Sequence, residues 1–139
     1  MKHTEIIYIA SPYTSRRESE AERGAEQHAR FTIVTRYAAA LMREGWPVFS
    51  PITHGHPIWL ASLTQLDASA EAWASVNTAM MRQCESCHVL AIKGWNTSRG
   101  VRAERDWFEE NIITPQIVPL PACWFNTEIL RVYCQLREN

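Results

Sequence analysis

Short apolar runs alternate with longer amphipathic stretches along this chain, the pattern of a parallel sheet whose strands are joined by helices. "EIIYIA" (5–10) is β-branched and apolar, and "SPYT" ends it, which predicts a buried strand leaving into a loop. After the polar string "SRRESEAERG", a helix is expected from about Ser19 to Glu44. Ala21, Ala25, Ala29, Ile33, Tyr37 and Leu41 recur at every fourth position, Val34 and Ala38 widen the stripe, and the glycine of "EGW" closes it. "PVFSP" (47–51) reads as a second strand, again closed by Ser-Pro. The segment 52–69 has no clean period, and unstructured loops of that length are usually either functional or wrongly assigned. A helix from about Ala70 to Gln83, a strand "HVLAI" (88–92), the turn "KGWNTSRG", a helix "VRAERDWFEEN" and a fourth strand "QIVPLP" follow. "NTEILRVYCQLRE" is expected as a last helix capped by Asn126 or Thr127. Strands alternating with helices imply a parallel sheet covered on both faces and wound right-handedly.

Composition narrows the picture. At 139 residues the chain fits one domain with a sizeable core. The net charge of -1, from 14 basic and 15 acidic residues, argues against a nucleic-acid polymer as partner. The first apolar run is too short for a signal-peptide core and no run reaches the length of a membrane span, so a cytoplasmic protein away from membranes is expected.

"CESCH" (84–88) has the form of a c-type haem attachment string. On this map, however, the cysteines fall at a helix-to-strand join and His88 opens a strand inside the sheet. Zinc would need a second ligand pair, and Cys123 and Cys134 have no histidine nearby. Buried free thiols are the favoured reading.

In an open α/β sheet, ligands bind outside the carboxyl ends of the strands. Those ends carry Ser11, Pro12 and Tyr13 after strand one, and Ser50, Pro51, Ile52, His54 and His56 after strand two. After strand three come Asn96, Thr97, Ser98, Arg99 and Gly100. Ser98-Arg99-Gly100 precedes a helix whose free N–H groups and dipole favour an anion such as phosphate. Glu104 lies one turn into that helix; by spacing alone it is equally a first-turn glutamate that favours the dipole.

Three strings, "YIASPYT" (8–14), "GWPVFSPITHGHPI" (45–58) and "GWNTSRGVRAERDWFE" (94–109), resemble the nucleoside 2-deoxyribosyltransferase-like family. The resemblance implies a flavodoxin/Rossmann-like three-layer sandwich with a four- to five-stranded parallel sheet. It also implies cleavage of the N-glycosidic bond of a nucleoside or nucleotide. By motif position the nucleophile is Glu104, which forms a glycosyl-enzyme later resolved by water or a second base. Ser98 stands where relatives acting on free nucleosides commonly carry Asp, and Ser there implies a 5'-monophosphate substrate, with Arg99 and Arg102 as added positive charge or solvated surface. Ser11 and Tyr13 match positions that line the base and sugar pocket. No metal or organic cofactor is implied.

One departure stands out. Asn77 occupies the place of the family's Asp near the nucleophile, and Asn can hydrogen-bond but donates no catalytic proton. His54 and His56 are the candidates to protonate the leaving base instead. Three functions therefore remain open: a (deoxy)nucleoside 5'-monophosphate N-glycosidase, a deoxyribosyltransferase exchanging bases, or a nucleotide-binding module without turnover. NAD glycohydrolysis is less favoured. A homodimer or higher homo-oligomer is expected from relatives that build the site at an interface and from six tryptophans in a small domain, with residues 59–76 as the contact.

Overall fold

A computed structural model of the chain describes residues 3–62 and 70–120. In chain order the elements are β1 (Ile7–Ala10), α1 (Glu20–Arg43), β2 (Val48–Phe49), α2 (Pro51–Ala61), α3 (Ala70–Met81), β3 (Ser86–Leu90), α4 (Arg99–Glu110) and β4 (Gln116–Val118). The four strands form one all-parallel sheet in the order β2-β1-β3-β4. Among the described residues four helices flank it, and the architecture is the α/β flavodoxin/Rossmann-like sandwich. Strand order reverses between β1 and β3, so their carboxyl ends form the crevice in which such folds hold ligands.

Alternation along β1 divides the core. Ile7 and Ile9 face α1, where Ala29, Ile33, Val34, Ala38 and Leu41 pack with Ile52 and Leu90. Tyr8 and Ala10 face the opposite side with Met81, Val89, Val101 and Phe108. Phe108 is fully buried there, and truncating such a side chain to alanine costs roughly 3–5 kcal/mol.

Several expectations are corrected by the structure. The stripe at every fourth residue holds in the second half of α1, but Ala21 and Ala25 are exposed and the charged Glu26 and Arg30 are buried instead. The first part of the irregular segment 52–69 is helical. Ser50 caps α2 by accepting from the Thr53 amide at 3.1 Å, and Pro51 takes the first helical position, where its missing N–H leaves no bond unmade. Ser-Pro therefore starts a helix here as well as ending a strand. Its period was hidden because α2 buries Gly55 and His56 while exposing Ile58, Trp59 and Leu60. Strand β3 begins at Ser86, so His88 lies within it rather than opening it, and α4 begins at Arg99, with Gly100 inside its first turn.

Gly45 adopts φ +90° just past α1, the left-handed conformation that glycine takes at a helix end without strain. Cys84 and Cys87 are buried free thiols, pushed up to about 11 and about 12 by burial first of all. His88 turns to the other face of the sheet, where its Nδ1 meets the Tyr37 hydroxyl at 2.6 Å. Adjacent strand residues point to opposite faces, so Cys87 and His88 cannot serve one haem. The expected last helix, Cys123 and Cys134 lie outside the described residues. Among the described residues no helix is long and apolar enough to cross a membrane.

Candidate functional site

The rims of the crevice are the chain after β1 and the chain after β3. Arg30 fastens them together from α1. Its Nη1 donates to the carbonyl oxygens of Thr14 at 2.8 Å and Tyr13 at 3.3 Å, and its Nη2 donates to that of Lys93 at 3.4 Å. Glu26, one helical turn earlier, neutralises the guanidinium at 3.5 Å and also accepts from Arg17 Nε at 3.0 Å. These three side chains are buried, which makes them a brace for the loops rather than a solvated charge run.

On the β3 side, Ser98 has extended backbone angles and caps α4, its Oγ accepting from the Val101 amide at 3.2 Å. The amides of Arg99 and Gly100 occupy the first turn, where no helical acceptor exists for them. A Cβ built on Gly100 would meet nothing nearer than Ser98 Oγ at 3.9 Å, so the backbone is open to close approach. Arg99 and Arg102 are exposed and point no buried charge into the crevice.

Glu104 follows in the second turn of α4, one turn into the helix as its spacing suggests. Its carboxyl accepts a short hydrogen bond from the hydroxyl of Tyr8, which is fully buried on β1 between Phe49 and Phe108. Glu104 is partly accessible as a residue, but its carboxyl sits among protein atoms, and burial pushes it up to about 7 while the Tyr8 bond pulls it down. Burial, and then the neighbouring Glu104 charge, hold the Tyr8 phenol far above its ordinary range. At neutral pH the carboxyl is thus poised between acid and base forms beside a phenol that keeps its proton.

A second pair joins the first rim to α2. The Tyr13 hydroxyl and His56 Nδ1 are 2.5 Å apart, and the imidazole packs against Phe31 at 4.6 Å between ring centroids and lies 6.1 Å from His28. Burial first, and then His28, lower the His56 pKa. His56 Nε2 and Ser11 Oγ are both buried without a hydrogen-bond partner among the described residues.

The structure therefore places Ser98 and Gly100 at the head of α4, Glu104 further along the same helix with Tyr8, and Tyr13 with His56 as a separate pair joining the first rim to α2. His54 is exposed and touches Phe49, 5.7 Å between ring centroids. Asn77 is half-buried on α3 and makes no hydrogen bond to Glu104. Sequence reasoning missed Tyr8 and the brace. A tyrosine inside an otherwise aliphatic strand is the signal for the former, since a buried phenol requires a partner. Glu26 and Arg30, four apart, were overlooked because the alanines at 21 and 25 drew the predicted face to the other side.

Residues 5–116 match the model of a family described as a domain of unknown function (DUF1937). No curated protein matches the chain.

Proposed function

The chain belongs to the DUF1937 family, and from the site that it carries we propose that it cleaves the N-glycosidic bond of a (deoxy)nucleoside 5'-monophosphate. The observation that carries this reading is an enclosed carboxyl, Glu104, held by the Tyr8 hydroxyl beneath an open, serine-capped helix terminus.

The phosphate is received by the free amides at the head of α4, where the helix dipole favours a dianion and Ser98 adds no like charge. Glu104 lies six residues beyond Ser98, about 9 Å of helical rise, which leaves room for a pentose between phosphate and carboxyl. Ionised Glu104 attacks the anomeric carbon as the bond to the base breaks, giving a glycosyl-enzyme that water then hydrolyses. Tyr8 fixes the carboxyl and moderates its basicity by donating to the oxygen that does not attack. Exchange of one base for another uses the same intermediate, with a second base in place of water.

The test is chromatographic detection of free base from a panel of nucleosides and 5'-monophosphates, with wild type and Glu104→Ala, with and without an acceptor base. Base released by wild type alone, and from monophosphates alone, is the expected result; new nucleosides appearing with acceptor identify a transferase. Nucleotide binding without release from any substrate would instead establish a binding module. As a nucleophile, Glu104 must ionise, so the rate is expected to rise with pH through about 7; a rate that falls through the same range would make Glu104 a general acid.

A further inference from the structure

Cleavage of a glycosidic bond leaves an electron pair on the departing base, and the residue expected to meet it, Asn77, carries no transferable proton and makes no hydrogen bond to Glu104. Resting on the glycosidase reading, we propose that His56, oriented by Tyr13, donates a hydrogen bond from Nε2 to the leaving base and is the specificity-determining contact to it.

Three observations converge. The first is the tight Tyr13–His56 bond, 2.5 Å between the phenol oxygen and Nδ1. The Tyr13 hydroxyl is pushed up to about 12 by burial and keeps its proton. On this proposal that hydroxyl donates to Nδ1, the arrangement that leaves the ring proton on Nε2. The second is that Nε2, on a residue only 5 % exposed, has no partner among the described residues. A buried donor left unpaired costs about 1–3 kcal/mol, and on this proposal the ligand supplies the missing acceptor. The third is Ser11 Oγ, 7 % exposed and likewise unpartnered, on the same rim as Tyr13. A heterocyclic base, with ring nitrogens and carbonyl oxygens as acceptors, has the chemistry to satisfy both groups.

The step balances without a proton from the protein. Glu104 forms the bond to the anomeric carbon, the carbon–nitrogen bond breaks, and its electron pair passes into the base, where the acceptor bonded to Nε2–H gathers charge. Water then attacks the anomeric carbon as its bond to Glu104 breaks and the carboxylate is freed, giving its hydroxyl to the sugar and its proton to the base. A neutral imidazole acting as electrophile suits a ring whose pKa is lowered by burial and by His28. The groups shown facing the ring are Tyr13 from the first rim, and His28 and Phe31 from α1.

The experiment combines kinetics with binding. His56→Phe keeps the aromatic bulk and is expected to lower kcat about 10²- to 10³-fold, as loss of one donor to developing charge does. His56→Gln, which retains an N–H, restores part of it. By calorimetry, His56→Phe is expected to weaken binding of the intact nucleotide while leaving deoxyribose 5-phosphate unchanged. Above the Glu104 limb, wild-type kcat stays level to about pH 9; a fall in the neutral range would mean the imidazolium is the donor and overturn the proposal. Equal kcat and equal nucleotide affinity in His56→Phe would overturn it while leaving the glycosidase reading intact. Absence of base release with Glu104 present and nucleotide bound would overturn that reading, and the binding comparison would still decide whether His56 reads the base.

Discussion

Replacing Glu104 by glutamine keeps an acceptor for the Tyr8 hydroxyl and removes a charge that the native fold has to bury. The carboxyl is displaced from 4.5 to about 7 in the native protein. Each pKa unit corresponds to about 1.4 kcal/mol, so above pH 8 ionised Glu104 weakens the fold by about 3 kcal/mol relative to its acid form. The sign follows from the direction of the shift. With the native pKa above the unfolded value, the associated stability is complete below about pH 4.5 and is lost as pH rises through about 7. Glutamine cannot ionise, so Glu104→Gln should be more stable than wild type by about 3 kcal/mol at pH 8 and by only about 1 kcal/mol at pH 5. Urea unfolding followed by tryptophan fluorescence at the two pH values measures this. His56 and His88, whose pKa values are lowered by burial, lose stability as pH falls, but they contribute to both proteins and cancel in the difference. A stability difference that is the same at pH 5 and pH 8 would refute the argument and show that the carboxyl ionises normally.

Other consequences follow from the same contacts. Tyr8→Phe deletes the one hydrogen bond that lowers the Glu104 pKa, so the rising limb of the pH–rate profile should move upward, readable in initial rates from pH 6 to 9. Glu26→Gln leaves the guanidinium groups of Arg17 and Arg30 buried without their shared counter-charge and should cost about 3–5 kcal/mol in urea unfolding, against near zero for exposed Glu22→Gln. Gly55→Ala places a methyl 3.0 Å from the Trp73 ring and should destabilise by about 1–3 kcal/mol; an unchanged thermal midpoint would mean that the ring yields freely. Ile58, Trp59 and Leu60 on α2 and Val76 on α3 are exposed, so light scattering at micromolar concentration should give at least a dimer mass, and Trp59→Glu should shift it toward monomer.

The strands and most helices were legible because β-branched apolar runs and capping residues report local backbone choices directly. Ser19 and Ser98 cap α1 and α4 through their own side chains, and Gly45 ends α1, each a property of one residue and its neighbours. What escaped was set by tertiary packing. Helix α2 inverts the usual pattern, burying glycine and histidine because a tryptophan ring of α3 lies against its backbone. The candidate nucleophile could be placed on a helix, but not its partner, since Tyr8 and Glu104 are 96 residues apart in the chain. Tyr13 and His56 were each singled out, yet nothing in their spacing announces that they share a hydrogen bond.

Arg30 reaches carbonyl oxygens on both rims of the crevice from a single buried side chain. The consequence is mechanical: an outward swing of either rim must either break those bonds in the interior or drag the guanidinium, and with it the opposite rim and helix α1. The two rims are therefore coupled through the interior: a ligand that displaces one of them is felt at the other and at helix α1.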